Sequence, residues 1–328
     1  MHKYISILGL LALSLSFGIV YDAHSYLSSP ISNQKTQFEV EIARGASLTR
    51  ISQQLHAAGI ISQPLYFQFW ARYKNQTSQL KPGEYVFNES FTPRQVLDDL
   101  VAGRIKKYQI TIVEGKRLQD FLTLLHAHPK ITQTVTDLAQ IKTHLNISQP
   151  YLEGLFFPDT YSFAAGTTDV ELLNQSYQLL QQHLQTAWQA RSPESNLNTP
   201  YEALILASIV EKETSQQNER ARIAGVFLSR LNKGMRLQTD PTVIYGLGDE
   251  FDGNLKRKHL RQDNPYNTYQ RHGLPPSPIA LVGKAAIEAV MQPEITGDLY
   301  FVAKKDGSHY FSKTYREHTQ AVRKYQLN

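Results

Sequence analysis

No cysteine occurs in the 328 residues, and that absence removes several kinds of chemistry at once. There can be no disulfide, no thiolate zinc site, no thiol nucleophile and no lipid-modified cysteine. A marked charge imbalance is missing too: 34 Lys and Arg face 29 Asp and Glu, a net charge of +5. The basic residues are scattered rather than gathered into a stripe, which argues for an ordinary solvated surface and against nucleic acid as a partner. No glycine-rich phosphate loop is present. His309 and His318 lack a companion set of metal ligands, and Ser208 has no histidine nearby in the sequence. Neither a metal, nor another cofactor, nor a serine triad is expected. What the chain has is apolar bulk, 41% hydrophobic and 10% aromatic residues, enough for two or three units with cores of their own.

One long uncharged run, Tyr4 to Tyr21 (YISILGLLALSLSFGIVY), follows Lys3 and the terminal amine. It is long enough to span a bilayer. A cleaved signal peptide is the rival reading, but the exit through Val20, Tyr21 and Asp22 has bulky residues where small ones are needed for cleavage. With the basic end on the cytoplasmic side, the chain after Asp22 is expected outside the inner membrane. Residues 1–22 are thus read as a single-pass transmembrane anchor, and 23–36, which end in a stretch rich in Ser, Pro, Asn and Gln, as a tether.

Beyond the tether the patterning is α+β. Phe38 to Ile42 alternates like a strand, and Ser47 opens a helix carrying Leu48, Ile51, Leu55 and Ala58. A second helix covers Pro64 to Tyr73 before Lys81, Pro82 and Gly83 turn the chain into a strand at Glu84 to Phe87. This strand–helix–helix–strand order is similar to a LysM module, a small fold that binds N-acetylglucosamine polymers; a plain spacer fits the same pattern. With the following helix, Thr92 to Val101, it is assigned to 37–107. The remainder, 108–328, is read as a mixed α+β domain. Within it, Thr168 and Glu171 form a capping box ahead of an apolar stripe of Leu173, Tyr177, Leu180, Leu184 and Trp188. Leu299 to Ala303 and His309 to Ser312 flank Asp306-Gly307 as a hairpin, and Thr314 to Tyr325 closes the chain as a helix.

The chemistry centres on one helix. Thr199 caps it, Pro200 takes its first position, and Glu202 lies three residues after the cap. From Ala203 to Val210 it is apolar on every side, so it must be buried, yet it runs straight into Glu211, Lys212 and Glu213. At helical spacing Glu211 shares a stripe with Leu204, Ala207 and Ser208, whereas Glu213 follows Leu206, Ile209 and Val210. Small neighbours leave room beside Glu211, and desolvation there favours the neutral acid that a proton donor needs. The same pattern also fits the polar end of a buried structural helix.

LASIVEKET (Leu206 to Thr214) with GMRLQTDPTVIYGLG (Gly234 to Gly248) resembles the signature of the YceG-like family, the MltG-type endolytic murein transglycosylases. EGLFFPDTYSF (Glu153 to Phe163), NPYNTYQRHGLPPSPI (Asn264 to Ile279) and LYFVAKKDGSHYFSKTYREH (Leu299 to His318) are similar to further blocks of that family. The resemblance covers most of the chain. Departures fall at turn positions: Asn264 before Pro265, Ser277 where the family often has Gly, and Leu281-Val282 in place of an Asn-Pro pair before Gly283.

The resemblance implies a lyase acting on peptidoglycan glycan strands, with its catalytic glutamate on Glu211. A lytic transglycosylase needs one carboxyl group because its nucleophile is the substrate's own C6 hydroxyl. The implied reaction cleaves the N-acetylmuramic acid to N-acetylglucosamine bond without water and leaves 1,6-anhydromuramoyl ends, limiting nascent strands beside penicillin-binding synthases. Gln238, Asp240, Tyr266, Asn267 and Tyr269 are the candidate substrate-binding residues, combining aromatic surface with amide and hydroxyl groups. Asp240-Pro241 and Asn264-Pro265 are equally ordinary turn formers. Two other functions remain open, a non-catalytic peptidoglycan-binding scaffold and a hydrolytic muramidase using Glu153 or Asp159 as a second carboxylate.

Overall fold

Several of the helices start where the sequence supplies a capping side chain. The Ser47 hydroxyl accepts the Arg50 N–H, Thr92 that of Gln95, Thr168 that of Glu171 and Thr199 that of Glu202. Each cap satisfies a backbone donor that the first turn leaves unpaired. The computed structural model describes residues 2–31 and 36–327, the side chains of 2–13 and 15 excepted. The chain divides into two compact units, Met1–Tyr108 with Ser162–Gly166, and Gln109–Tyr161 with Thr167–Asn328.

The first unit contains α1 (His2–Ser28), β1 (Gln37–Ile42), α2 (Leu48–Ala57), α3 (Pro64–Tyr73), β2 (Gly83–Asn88) and α4 (Pro93–Ala102). The strand–helix–helix–strand order is as the patterning predicts. β1 and β2 pair antiparallel with Phe38 opposite Phe87 and Val40 opposite Tyr85. Phe38, Phe87, Leu55, Phe67 and Leu97 fill the core between this pair and the helices. The expected anchor falls largely on residues 1–13 and 15, outside the described side chains. Among the described residues no helix is long and apolar enough to cross a membrane. Residues 23–28, read from composition as the start of a tether, are helical, because α1 continues to Ser28. The reason is packing: Leu27 is buried, and the Tyr26 hydroxyl accepts the Gln63 N–H at 3.2 Å.

The chain enters the second unit within β3 (Tyr108–Thr111), runs through α5 (Leu118–Ala127), β4 (Ile131–Thr132) and α6 (Leu138–Leu145), rejoins the first unit within β5 (Thr160–Phe163), and returns through β6 (Thr167–Thr168) and α7 (Asp169–Gln189). Then come α8 (Pro200–Glu213), α9 (Arg220–Asn232), α10 (Asp240–Leu247), α11 (Arg257–Arg261), α12 (Lys284–Met291), β7 (Tyr300–Ala303), β8 (His309–Ser312) and α13 (Tyr315–Tyr325). The strands form small pairs, β3 with β5, β4 with β6 and β7 with β8, so this is a mixed α+β unit organised by helices. α8 is its axis and is packed by α7, α9, α10 and α12. That explains why its sequence is apolar on every side: Ala203 through Val210 are all buried. In α7 the predicted stripe faces inward, with Leu173, Leu180 and Leu184 buried and Tyr177 and Trp188 half-buried. The patterning marks no helix at α6, α10 or α12; at 8 residues each they are too short to display a helical period.

Candidate active site

The last turn of α8 emerges from the core carrying two carboxylates that point to different surroundings. Glu211 Oε1 accepts a hydrogen bond from Arg220 Nη2 at 2.9 Å, and Oε2 accepts the Gly283 N–H at 3.0 Å. Both partners of this ion pair are buried, the side chains being 4% and 8% exposed for Glu211 and Arg220. The small neighbours on the Glu211 stripe therefore make room for Arg220, from the start of α9, and for the loop before α12. Ser208, on the same stripe, donates to the Ile205 carbonyl and accepts the Ile279 N–H at 3.0 Å. Its hydroxyl fastens that loop to the helix.

A third charge belongs to this cluster. Glu114 Oε2 lies 3.9 Å from the same Arg220 nitrogen, and its side chain is 48% exposed. Backbone bonds hold the loop in place: Gly115 N–H donates to the Leu281 carbonyl and Leu281 N–H to that of Lys116, both at 2.8 Å. Lys212 adds a bond to the Gly115 carbonyl at 3.1 Å. A Cβ at Gly283 would sit 1.9 Å from Glu114 Oε1, so the half-exposed Glu114 side chain would have to swing away. Burial pushes the Glu211 carboxyl above the ordinary carboxylate range. The Arg220 charge and the Gly283 N–H oppose that shift, and the Glu114 charge reinforces it. The result is a carboxyl that holds its proton more tightly than a free one, beside a fixed guanidinium. Arg220, Glu114 and Gly283 escaped the sequence reading, which had no signal linking them to α8.

Glu213 faces the other way. Its Oε1 accepts a hydrogen bond from the Thr239 hydroxyl, and it lines a cavity of about 450 Å³ with Arg230, Gln238, Asp240, Tyr269 and Tyr300. Burial raises its pKa as well, against the Thr239 hydrogen bond, and the Asp240 charge adds to the rise. The Tyr269 hydroxyl donates to Asp240 Oδ1 at 2.6 Å. Gln238 is held at φ 52, a left-handed conformation unusual for a residue with a side chain. Arg230 is spent on structure, donating to the Leu237 and Leu299 carbonyls, both at 2.6 Å. Three of the five predicted binding residues, Gln238, Asp240 and Tyr269, thus meet in one cavity.

The other two do not join them. Tyr266 shares a hydrogen bond of 2.7 Å with Ser277 and stacks at a tilt on Tyr245 with ring centroids 4.8 Å apart. Asn267 is 1% exposed; its amide donates to the His259 and Gln262 carbonyls and accepts the Tyr269 N–H, so it frames the loop. Asp240 and Pro241 open α10 instead of forming a free turn. Of the alternative carboxylates, Glu153 accepts the Leu118 N–H at 2.9 Å and the Tyr245 hydroxyl at 3.4 Å, and burial raises its pKa. Asp159 is exposed and accepts the N–H of the next residue, Thr160, at 2.7 Å, a turn contact.

A sequence model of the YceG-like family matches residues 40–324. The chain belongs to the YceG-like family. An endolytic murein transglycosylase of Bacillus subtilis (strain 168) is 32% identical over 314 residues, covering 89% of this chain and 86% of the relative. Another from Streptococcus pneumoniae (strain D39) is 30% identical over 357 residues, covering 98% of this chain and 64% of its own length. Among solved structures, a yceG-like protein from Listeria monocytogenes superposes with a TM-score of 0.56 at 30% identity, over 88% of this chain and all of the other. Within the family assignment, the two carboxylates of EKET occupy separate settings, one in an ion-paired cluster and one in a cavity.

Proposed function

We propose that this protein is a lytic transglycosylase that cuts within peptidoglycan glycan strands, with Glu211 as its general acid and base. The observation that carries the reading is the Glu211 carboxyl itself, buried at the end of α8 with its pKa raised and its position fixed by Arg220 and Gly283. Membership of a family whose relatives bear the name endolytic murein transglycosylase supplies the reaction class. In the proposed reaction Glu211 protonates the oxygen between N-acetylmuramic acid and N-acetylglucosamine. It then takes the proton from the muramoyl C6 hydroxyl as that oxygen attacks C1, closing a 1,6-anhydro ring. The intramolecular attack replaces a second carboxylate by orientation. Gln238, Asp240 and Tyr269 bind a neighbouring sugar in the cavity.

The same reading assigns the wider roles. The N-terminal run anchors the chain in the inner membrane with the rest outside, the LysM-like module binds glycan, and cutting beside penicillin-binding synthases limits the length of new strands. Hydrolysis by a muramidase is the second reading, and one observation favours it: Glu114, half-exposed across Arg220 from Glu211, is a second carboxylate in reach of a water. Incubating the purified full chain with glycan strands and weighing the products separates the two. Ends lighter by one water than reducing ends are expected, and Glu211→Gln is expected to make none. Reducing ends from the parent chain overturn the transglycosylase reading, and full cleavage by Glu211→Gln overturns the assigned residue.

A further inference from the structure

The first unit carries an apolar face that no described residue covers. Along α3, Leu65, Phe69 and Tyr73 recur every fourth residue and are 76%, 65% and 69% exposed, while Phe67 and Ala71 on the opposite side are fully buried. Single exposed apolar side chains are ordinary, but a stripe over two turns marks a surface with a partner. Phe17, Ile19, Val20 and Tyr21 of α1 are exposed as well. Between the two helices lies a groove of about 670 Å³ lined by Ile19, Val20, Leu65, Phe69, Trp70 and Tyr73.

The helices are antiparallel. Gln63 N–H donates to the Tyr26 hydroxyl at 3.2 Å, and the Tyr66 hydroxyl to Asp22 Oδ2 at 2.8 Å. Each turn forward along α3 therefore comes level with a turn backward along α1, toward the Tyr4 to Tyr21 run. The charge pattern is one-sided: between Gly59 and Gly83 there is no Asp or Glu, but there are Arg72, Lys74 and Lys81. Arg72 and Lys74 are exposed at the end of α3 that approaches the run. The Arg94 guanidinium lies 4.7 Å and the Lys74 ammonium 5.7 Å from the centre of the Trp70 ring. Apolar side chains, Trp and Tyr rings and basic side chains reaching past them are the composition of a segment at a membrane–water boundary.

We propose that α3 dips end-first beside the N-terminal run into the headgroup boundary of an anionic bilayer, Phe69 and Tyr73 leading, while Arg72 and Lys74 reach back to lipid phosphates. The proposal rests on the anchor reading given above. A second copy is a poorer occupant, since three side chains of a ten-residue helix fall short of the roughly 800 Å² per partner of a stable interface.

The chain has 2 tryptophans, so full-length Trp188→Phe leaves Trp70 as the sole tryptophan, excited selectively over the tyrosines. Reconstituted in phosphatidylglycerol–phosphatidylcholine liposomes, its emission is expected to drop about twofold when the lipids are brominated high in the acyl chains. The surface variant Phe69→Asp with Tyr73→Asp is expected to lose most of that quenching. A chain that floats with the liposomes while Trp70 stays unquenched overturns the proposal and leaves the anchor standing. A chain that stays out of the liposomes overturns both. Disulfide linkage of a Phe69→Cys chain to a second copy in liposomes assigns the face to self-association and overturns the proposal too.

Discussion

Glu211 is placed between opposing influences, and each can be altered on its own. Replacing it with Gln keeps the size and the acceptor for the Gly283 N–H but removes the proton; cleavage is expected to fall about a thousandfold, read as anhydro product per unit time. In the proposed mechanism activity needs the protonated form, so it is expected to fall as pH rises through the raised pKa of Glu211. Glu114→Gln removes a charge that contributes to that rise. The pKa then falls, and the alkaline limb of the pH–rate profile is expected to move to lower pH; an unmoved limb means Glu114 does not act on Glu211. Glu213 gives the matching test on stability. A carboxyl whose pKa is raised by folding favours the folded state at low pH, and that contribution is lost as pH rises through the raised value. Glu213→Gln fixes the neutral form, so its Tm is expected to equal the parent's at about pH 4 and exceed it at about pH 8, by calorimetry. The sequence pointed to Glu211 because it ends a buried helix and matches a family motif. It could not point to Arg220, Glu114 or Gly283, whose meeting depends on the loop before α12 folding back onto α8.

At the scale of elements, α8 and α9 show why apolar pattern was readable and close approach was not. The burial of Ala203 to Val210 follows directly from a segment with no polar face. Ser208 looks like any small residue in that segment, yet it ties the Ile279 backbone to the helix. Ser208→Ala leaves that buried N–H without a partner and is expected to cost about 1–3 kcal/mol in chemical denaturation. On α9, a Cβ at Gly225 would lie 2.1 Å from the Glu294 carbonyl oxygen, a backbone atom that cannot rotate away. Gly225→Ala is expected to cost about 1–3 kcal/mol by the same measurement, in spite of alanine's better helix propensity. The short helices α6, α10 and α12 were illegible for a different reason, since two turns hold too few residues to establish a period.

For the whole molecule, local pattern and long-range contact divided the work. The sequence by itself determined the α+β alternation, the capped starts of α2, α4, α7 and α8, the strand–helix–helix–strand order of the first unit and the carboxylates at the end of a buried helix. Each of these depends on residues a few positions apart, within reach of capping bonds and side-chain period. Tertiary structure alone decided that Arg220 and Gly283 clasp Glu211, and that Gln238, Asp240 and Tyr269 share a cavity with Glu213. It also decided that Tyr266 and Asn267 lie outside that cavity, and that α3 leaves an apolar stripe uncovered beside α1. These depend on segments far apart in the chain being brought together by the burial of α8 and of the first unit's core, and a one-dimensional pattern carries no record of which loop will meet which helix end.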